Sequence, residues 1–313
     1  MPETKSRLSF ILPTPLKPEL PLFIFLPGMD GTGLLYQRQA DRLAKFFDIR
    51  CLAIPSDDLS DWDILATEAI KLIKNELISK QEFRSPGVQE FRSSEGKEFG
   101  NKYSSLSSPS SLSPLSPLSS EGRYPVYLCG ESFGGCLALK LVLEEPSLFE
   151  RLILINPSSS FNQRPLLSLG IQVTQWMPSF LHPASAMGLL PFLAALERIS
   201  ASERMALFDA MNSVPPQVVS WRLTLLKDFA VAHEDLRRIA QPTLIIAGQN
   251  DRLLPSIEEA RRLVSYIPRA KTVVLPEGGH ACLLESDVYL DEIMQAKNFL
   301  TTNVFSDGDR AAV

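Results

Sequence analysis

The sequence predicts an α/β fold, a mostly parallel sheet covered by helices on both faces, and three observations carry that reading. Short apolar runs such as Leu22-Phe23-Ile24-Phe25-Leu26 and Arg151-Leu152-Ile153-Leu154-Ile155 recur along the chain. Runs of this length without polar alternation are the pattern of strands buried on both faces of a parallel sheet. They alternate with stretches of helical spacing, the order that builds right-handed strand–helix–strand units. One run, Val126-Tyr127-Leu128-Cys129, passes through Gly130-Glu131-Ser132-Phe133-Gly134-Gly135 directly into a helical pattern. That is a strand turning sharply into a helix, with small residues where the two must pack closely.

Taken in order, residues 8–12 form a short edge strand after a proline-punctuated start, and residues 22–26 a central strand. The strand ends in the loop Pro27-Gly28-Met29-Asp30-Gly31-Thr32-Gly33. Helical spacing follows over 34–47, and the next strand is 49–54, closed by Pro55. Asp61 is placed to cap a long amphipathic helix whose apolar positions are Ile64, Leu65, Ile70, Leu72, Ile73 and Leu77. Beyond the Ser132 helix come the strand 151–155 and an interruption over 158–238 with broken helical stretches, expected to form a helical cap. Strand 243–248, helix 256–266, strand 272–275 and a last helix over 283–299 complete the order, and no internal repeat is visible.

The chain is read as one domain over residues 1–313, interrupted at 82–122 by a polar, aperiodic insert. Its centre, 104–120, contains ten Ser, four Leu and three Pro and no other residue type. Such a segment buries too little apolar surface to offset its ordering entropy and is expected to be disordered. It precedes the Val126 strand, so it lies at the amino ends of the strands, opposite the edge where open α/β sheets bind ligands.

Composition narrows the function classes. Net charge is −5, from 31 Lys+Arg against 36 Asp+Glu, which leaves no basic footprint for nucleic acid. The four cysteines have no metal-ligand spacing and read as buried thiols. No metal or cofactor is expected. The first residues lack the layout of a signal peptide, so a cytoplasmic location is expected. Residues 165–196 contain no Asp, Glu, Lys or Arg. Three prolines and several polar residues interrupt that stretch too often for a membrane span. It is expected to line an apolar substrate tunnel or to rest on a membrane surface, or else to be an ordinary cap.

Ser132 needs a base within hydrogen-bond reach, itself oriented by a carboxylate. The chain has three histidines. His182 and His233 fall in the interruption, whereas His280 follows the last strand in a glycine-flexed loop. The acid is sought after the preceding strand, where Gly248-Gln249-Asn250-Asp251 offers Asp251; Asp228 and Asp235 belong to the interruption. Ser132, Asp251, His280 and the 27–33 loop each follow a different predicted strand and so converge on one sheet edge. Charge developing on a substrate carbonyl oxygen needs backbone N–H donors, expected from Phe133 and from Met29. A phosphate cradle at residues 28–33 is the alternative, but the Lys-Ser/Thr of a P-loop is absent. Asp30 reads as a turn residue.

The segments 26–33, 130–135 and 278–285 resemble the esterase/lipase/thioesterase family of the α/β-hydrolase superfamily, which includes plant phytyl ester synthases and their cyanobacterial relatives. The resemblance implies an α/β-hydrolase fold and covers the hydrolase half of those synthases. Their acyltransferase half carries a His-x-x-x-x-Asp motif; five residues after His182, His233 and His280 stand Met187, Arg238 and Glu285. Three functions follow as expectations: a serine hydrolase of lipid-like acyl esters or thioesters, an acyltransferase to an alcohol such as phytol, or a non-catalytic binding protein of the same fold.

Overall fold

The computed structural model describes residues 7–84, 124–163, 188 and 190–300. Among these, seven strands form one sheet: β1 (Ser9–Ile11), β2 (Leu22–Leu26), β3 (Asp48–Ala53), β4 (Val126–Glu131), β5 (Arg151–Ile155), β6 (Thr243–Gly248) and β7 (Ala270–Leu275). The spatial order is β1-β3-β2-β4-β5-β6-β7. Every neighbouring pair is parallel except β1 with β3. The predicted α/β class is the one observed.

The continuous apolar runs are explained by what lies on each face. Leu22, Ile24, Leu26, Leu128, Leu152, Leu154 and Ile245 point into one core. There they meet α2 (Trp62–Arg84), α3 (Phe133–Glu144) and α7 (Ser256–Tyr266). The alternate residues Phe23, Phe25, Tyr127, Cys129, Ile153, Ile155 and Ile246 point into a second core with α1 (Gln37–Leu43) and α8 (Leu290–Ala296). Successive side chains leave a strand on opposite faces, so a strand covered on both faces has no position for polar side chains. Each fully buried aliphatic or aromatic residue contributes about 1.5–3 kcal/mol. Edge strand β7, by contrast, exposes Lys271 and Val274.

Boundaries differ from the sequence reading at the insert and at the last helix. Residues 82–84, assigned to the insert, are the end of α2; the rest of the insert and its expected disorder lie outside the described residues. Most of the uncharged 165–196 stretch, with His182, lies outside them as well. The helix expected over 283–299 begins only at Leu290, after a single turn at Cys282–Leu284. The buried Gln39 side chain explains this. It donates to the carbonyls of Leu283 and Val288 and accepts from the Leu290 N–H, taking backbone groups a continuous helix would pair internally. Between β5 and β6 the described residues include α4 (Ala201–Asn212), α5 (Pro216–Asp228) and α6 (His233–Arg238). Asp61 caps α2 as expected, its carboxylate accepting the Ile64 N–H at 2.9 Å. All four cysteines are buried free thiols. Among the described residues no helix is long and apolar enough to cross a membrane, and no cluster of His, Cys, Asp and Glu could hold a metal ion.

Candidate active site

Ser132 stands between the last residue of β4 and the first of α3, with φ 52° and ψ −113°. A side chain at such a φ is strained, and the neighbouring glycines show what holds the turn tight. A Cβ on Gly130 would lie 2.3 Å from the Gly134 carbonyl oxygen; one on Gly134 would lie 2.1 Å from the Leu26 carbonyl oxygen. The helix therefore packs directly on the β4 and β2 backbones. The Ser132 N–H donates to the Ile155 carbonyl at 3.0 Å, and its carbonyl accepts from Gly135 and Ser158. The hydroxyl is left projecting above the sheet edge, partly exposed.

The structure brings three of the predicted side chains together. His280 Nε2 lies 2.9 Å from Ser132 Oγ, and His280 Nδ1 lies 2.8 Å from Asp251 Oδ2. Asp251 Oδ1 accepts the N–H groups of Leu253 and Leu254, each at 2.9 Å, and Oδ2 accepts the Ser256 hydroxyl. Burial pushes the Asp251 carboxyl up, but His280 and these donors outweigh it and hold it below its ordinary value. Burial pushes the His280 imidazole down; the Asp251 charge and hydrogen bond, with Glu131 adding, outweigh it and raise its pKa. Such a chain can take a proton from a serine hydroxyl onto Nε2 and stabilise the imidazolium that forms. The other candidates lie elsewhere: His233 stacks on Tyr266 at 3.8 Å, and Asp235 pairs with Arg238 on α6.

The 27–33 loop is a network of short turns. Gly31 N–H donates to the Gly28 carbonyl at 3.1 Å. A trans peptide sends its C=O and N–H in opposite directions, so the Met29 N–H is aimed away from that turn. Asp30 accepts both the N–H and the hydroxyl of Thr32, the turn role expected of it. Phe133 is the first residue of α3, where an N–H has no intrahelical partner. Its ring is stacked on Trp62, 4.5 Å between centroids.

Five further residues shape this edge. Asn156 has a left-handed φ of 41°. Its amide donates to the carbonyls of Gly279 (3.1 Å) and His280 (2.7 Å) and accepts from the Gly248 N–H (2.8 Å), tying β5, β6 and the histidine loop together. Arg222 of α5 is 2% exposed and donates to the carbonyls of Met29 (2.7 Å) and Pro55 (2.9 Å). Glu285, fully buried, accepts from Gly279 N–H at 2.6 Å and from Arg198 at 2.8 Å. Ser158 Oγ lies 3.0 Å from Ser132 Oγ. The sequence holds a signal for Asn156, an Asn-Pro pair closing a strand. It holds none for Arg222 or Arg198, whose partners Met29 and Glu285 are more than 80 residues away in the chain.

Comparison with known proteins agrees with this architecture. The family described as serine aminopeptidase, S33 matches residues 117–287, more than half of the chain. The chain belongs to this α/β-hydrolase family. More distant relatives are also recognisable by overall sequence. Phytyl ester synthase 1 of Arabidopsis thaliana is 27% identical over 295 residues, covering 87% of this chain and 36% of that protein. The chain thus spans little more than a third of the synthase. A pimeloyl-[acyl-carrier protein] methyl ester esterase of Nitrosomonas europaea is 29% identical over 173 residues, 52% of this chain and 66% of that one. Among solved structures, an α/β-hydrolase enzyme from a deep-sea metagenome library superposes with a TM-score of 0.66 at 14% identity, covering 96% of this chain and 97% of that one. By family the chain is a hydrolase-type enzyme.

Proposed function

We propose that the protein is a serine hydrolase of lipid-like acyl esters or thioesters, with Ser132 as nucleophile, His280 as general base and acid, and Asp251 as its orienting carboxylate. The observation that carries the reading is the continuous pair of contacts, 2.9 Å from Oγ to Nε2 and 2.8 Å from Nδ1 to Oδ2, on a serine held at positive φ. Ser132 Oγ attacks the acyl carbonyl as its proton passes to His280 Nε2, and the carbonyl electron pair moves onto oxygen. The N–H groups of Met29 and Phe133 receive that oxyanion; one such donor is worth about 10²–10³ in kcat. Collapse expels the leaving oxygen or sulfur, which takes the proton from Nε2. An acceptor O–H then repeats the sequence and releases Ser132.

The lipid-like substrate class is supported by the relatives, a phytyl ester synthase and an esterase of an acyl-carrier-protein-linked methyl ester. The uncharged stretch 165–196 would supply an apolar acyl site or a peripheral membrane contact. A second reading, acyl transfer to an alcohol such as phytol, is favoured by the match to the synthase over 87% of this chain. Both readings use the same acyl-enzyme and differ in the acceptor.

The test is fluorophosphonate labelling of one portion of the purified protein and incubation of a separate, unlabelled portion with acyl-CoA, acyl-carrier-protein thioester and galactolipid, with and without phytol. Labelling lost in Ser132→Ala, with free fatty acid released, supports the hydrolase; a phytyl ester formed only with intact Ser132 supports the transferase. Absence of labelling in folded wild-type protein would instead mean a non-catalytic binding protein.

A further inference from the structure

We propose that Ser158 is a fourth catalytic side chain, its hydroxyl donating a hydrogen bond to Ser132 Oγ that strengthens when charge develops on that oxygen. The proposal rests on the serine-hydrolase reading above. Proton accounting assigns the donor. With the Nδ1 proton of His280 facing Asp251, Nε2 is the acceptor, and the single proton of Ser132 is committed to it. The 3.0 Å contact between the two serine oxygens is then a bond from the Ser158 O–H to a Ser132 lone pair. The second lone pair of Oγ remains to form the bond to carbon.

The geometry is built and not incidental. Ser158 is 2% exposed, and its N–H donates to the Ser132 carbonyl at 3.1 Å, so its backbone and side chain both engage the nucleophile. It is delivered by the turn after β5, whose first residue, Asn156, is held at φ 41° by three side-chain hydrogen bonds to the β6 end and the histidine loop. A strained residue fixed from three sides marks a position the fold over-determines. The next residue, Pro157, lies against α3 at Gly135, where an added Cβ would come within 2.7 Å of the proline ring. The turn therefore cannot slide along the helix. Through Asn156 it positions the base, and through Ser158 it positions the nucleophile.

Both half-reactions use the bond. In acylation the Oγ proton moves to Nε2 as the Oγ–carbon bond forms, and the negative charge that develops on Oγ between the two events is stabilised by the Ser158 O–H. In deacylation the acceptor O–H loses its proton to Nε2, its oxygen bonds the acyl carbon, and the Oγ–carbon bond breaks with the electron pair going to Oγ. That pair is stabilised by the Ser158 O–H until Nε2 returns the proton. A donor that matters most where charge develops lowers the barrier and not the ground state. Loss of such a bond costs roughly ten- to hundred-fold in rate.

The test is burst kinetics with a p-nitrophenyl octanoate substrate on the wild type, Ser158→Ala and Ser158→Cys, with thermal melting and fluorophosphonate labelling on the same preparations. Cysteine keeps nearly the same volume but is a weak donor, so it serves if alanine fails to fold. Acylation and deacylation both slowed ten- to hundred-fold in a variant that melts like wild type support the assignment. Both steps within threefold of wild type in a folded variant overturn it and leave the hydrolase reading intact. Wild-type protein that neither bursts nor labels overturns both.

Discussion

Arg222 is a buried guanidinium whose hydrogen bonds go to two carbonyls, Met29 and Pro55, at 2.7 and 2.9 Å, and it reaches them from α5, within the β5–β6 connection. Burial lowers its pKa, with Asp30 and Asp58 opposing through space. Arg222→Met keeps the stem and removes the fork. Each hydrogen bond from a charged donor is worth about 1.5–3 kcal/mol, so two give roughly 3–6 kcal/mol gross. Removing a desolvated charge returns part of this, several kcal/mol per ion. We expect a net destabilisation of about 1–3 kcal/mol. At about 2–4 °C per kcal/mol for a domain of 150–250 residues, melting should fall by several degrees. The larger effect is on chemistry. With its carbonyl released, the Met29 loop moves, and a misplacement on the order of 1 Å costs about 10²-fold. Steady-state kinetics on a short-chain ester should show kcat down roughly 100-fold with KM little changed, because the transition-state donor proposed at Met29 is lost. Binding of a trifluoromethyl ketone, which forms the tetrahedral adduct, should weaken in parallel. Arg222→Lys, with one compact donor head, should fall between. A folded Arg222→Met protein with kcat within twofold of wild type would refute the reasoning, since the loop would then be held without α5.

Glu131→Gln tests the charge behind the base. Burial, with Asp30 adding and His280 opposing, pushes the Glu131 carboxyl to about 7, and its anion raises His280 in turn. A neutral residue there should lower the His280 pKa, so the acidic limb of the kcat/KM profile moves to lower pH; an unmoved limb counts against it. The same shift has a sign for stability. The folded state holds a proton that the unfolded chain has released, so wild-type stability falls as pH rises from about 4.5 to about 7. The gain in stability from Glu131→Gln should therefore grow across that window and level off above it, read by urea unfolding at a series of pH values. Gly134→Ala places a Cβ 2.1 Å from the Leu26 carbonyl oxygen, which forces α3 and the β2 end apart. We expect a loss of about 1–3 kcal/mol in urea unfolding and activity down about 100-fold or more; native values for both would mean that the turn has slack. Arg198→Met leaves the Glu285 carboxylate buried and unpaired at a cost on the order of 3 kcal/mol. Adding Glu285→Gln should recover part of that loss in a double-mutant cycle, and a purely additive cycle would argue against coupling.

The sequence by itself determined the class of fold, the strands and the ordering of the site. Runs such as Leu22–Leu26 and Thr243–Gly248 could be read because burial on both faces excludes polar side chains from every position of the strand. Ser132, Asp251 and His280 could be picked out because each lies just beyond the carboxyl end of a strand, and parallel strands bring those ends to one edge. The backbone N–H roles sought at Met29 and Phe133 came from the same positional argument. What only the tertiary structure decided are contacts between side chains and distant backbone. Gln39 stops a helix from forming around Glu285 by bonding the carbonyls of Leu283 and Val288, more than 240 residues further on. Arg222 reaches the Met29 loop from α5, Arg198 reaches Glu285, and Asn156 gathers two strand ends and the histidine loop. No local periodicity encodes such partners. A buried arginine or asparagine looks in sequence like an exposed one, and only the packed fold, which removes water as the alternative partner, makes the choice.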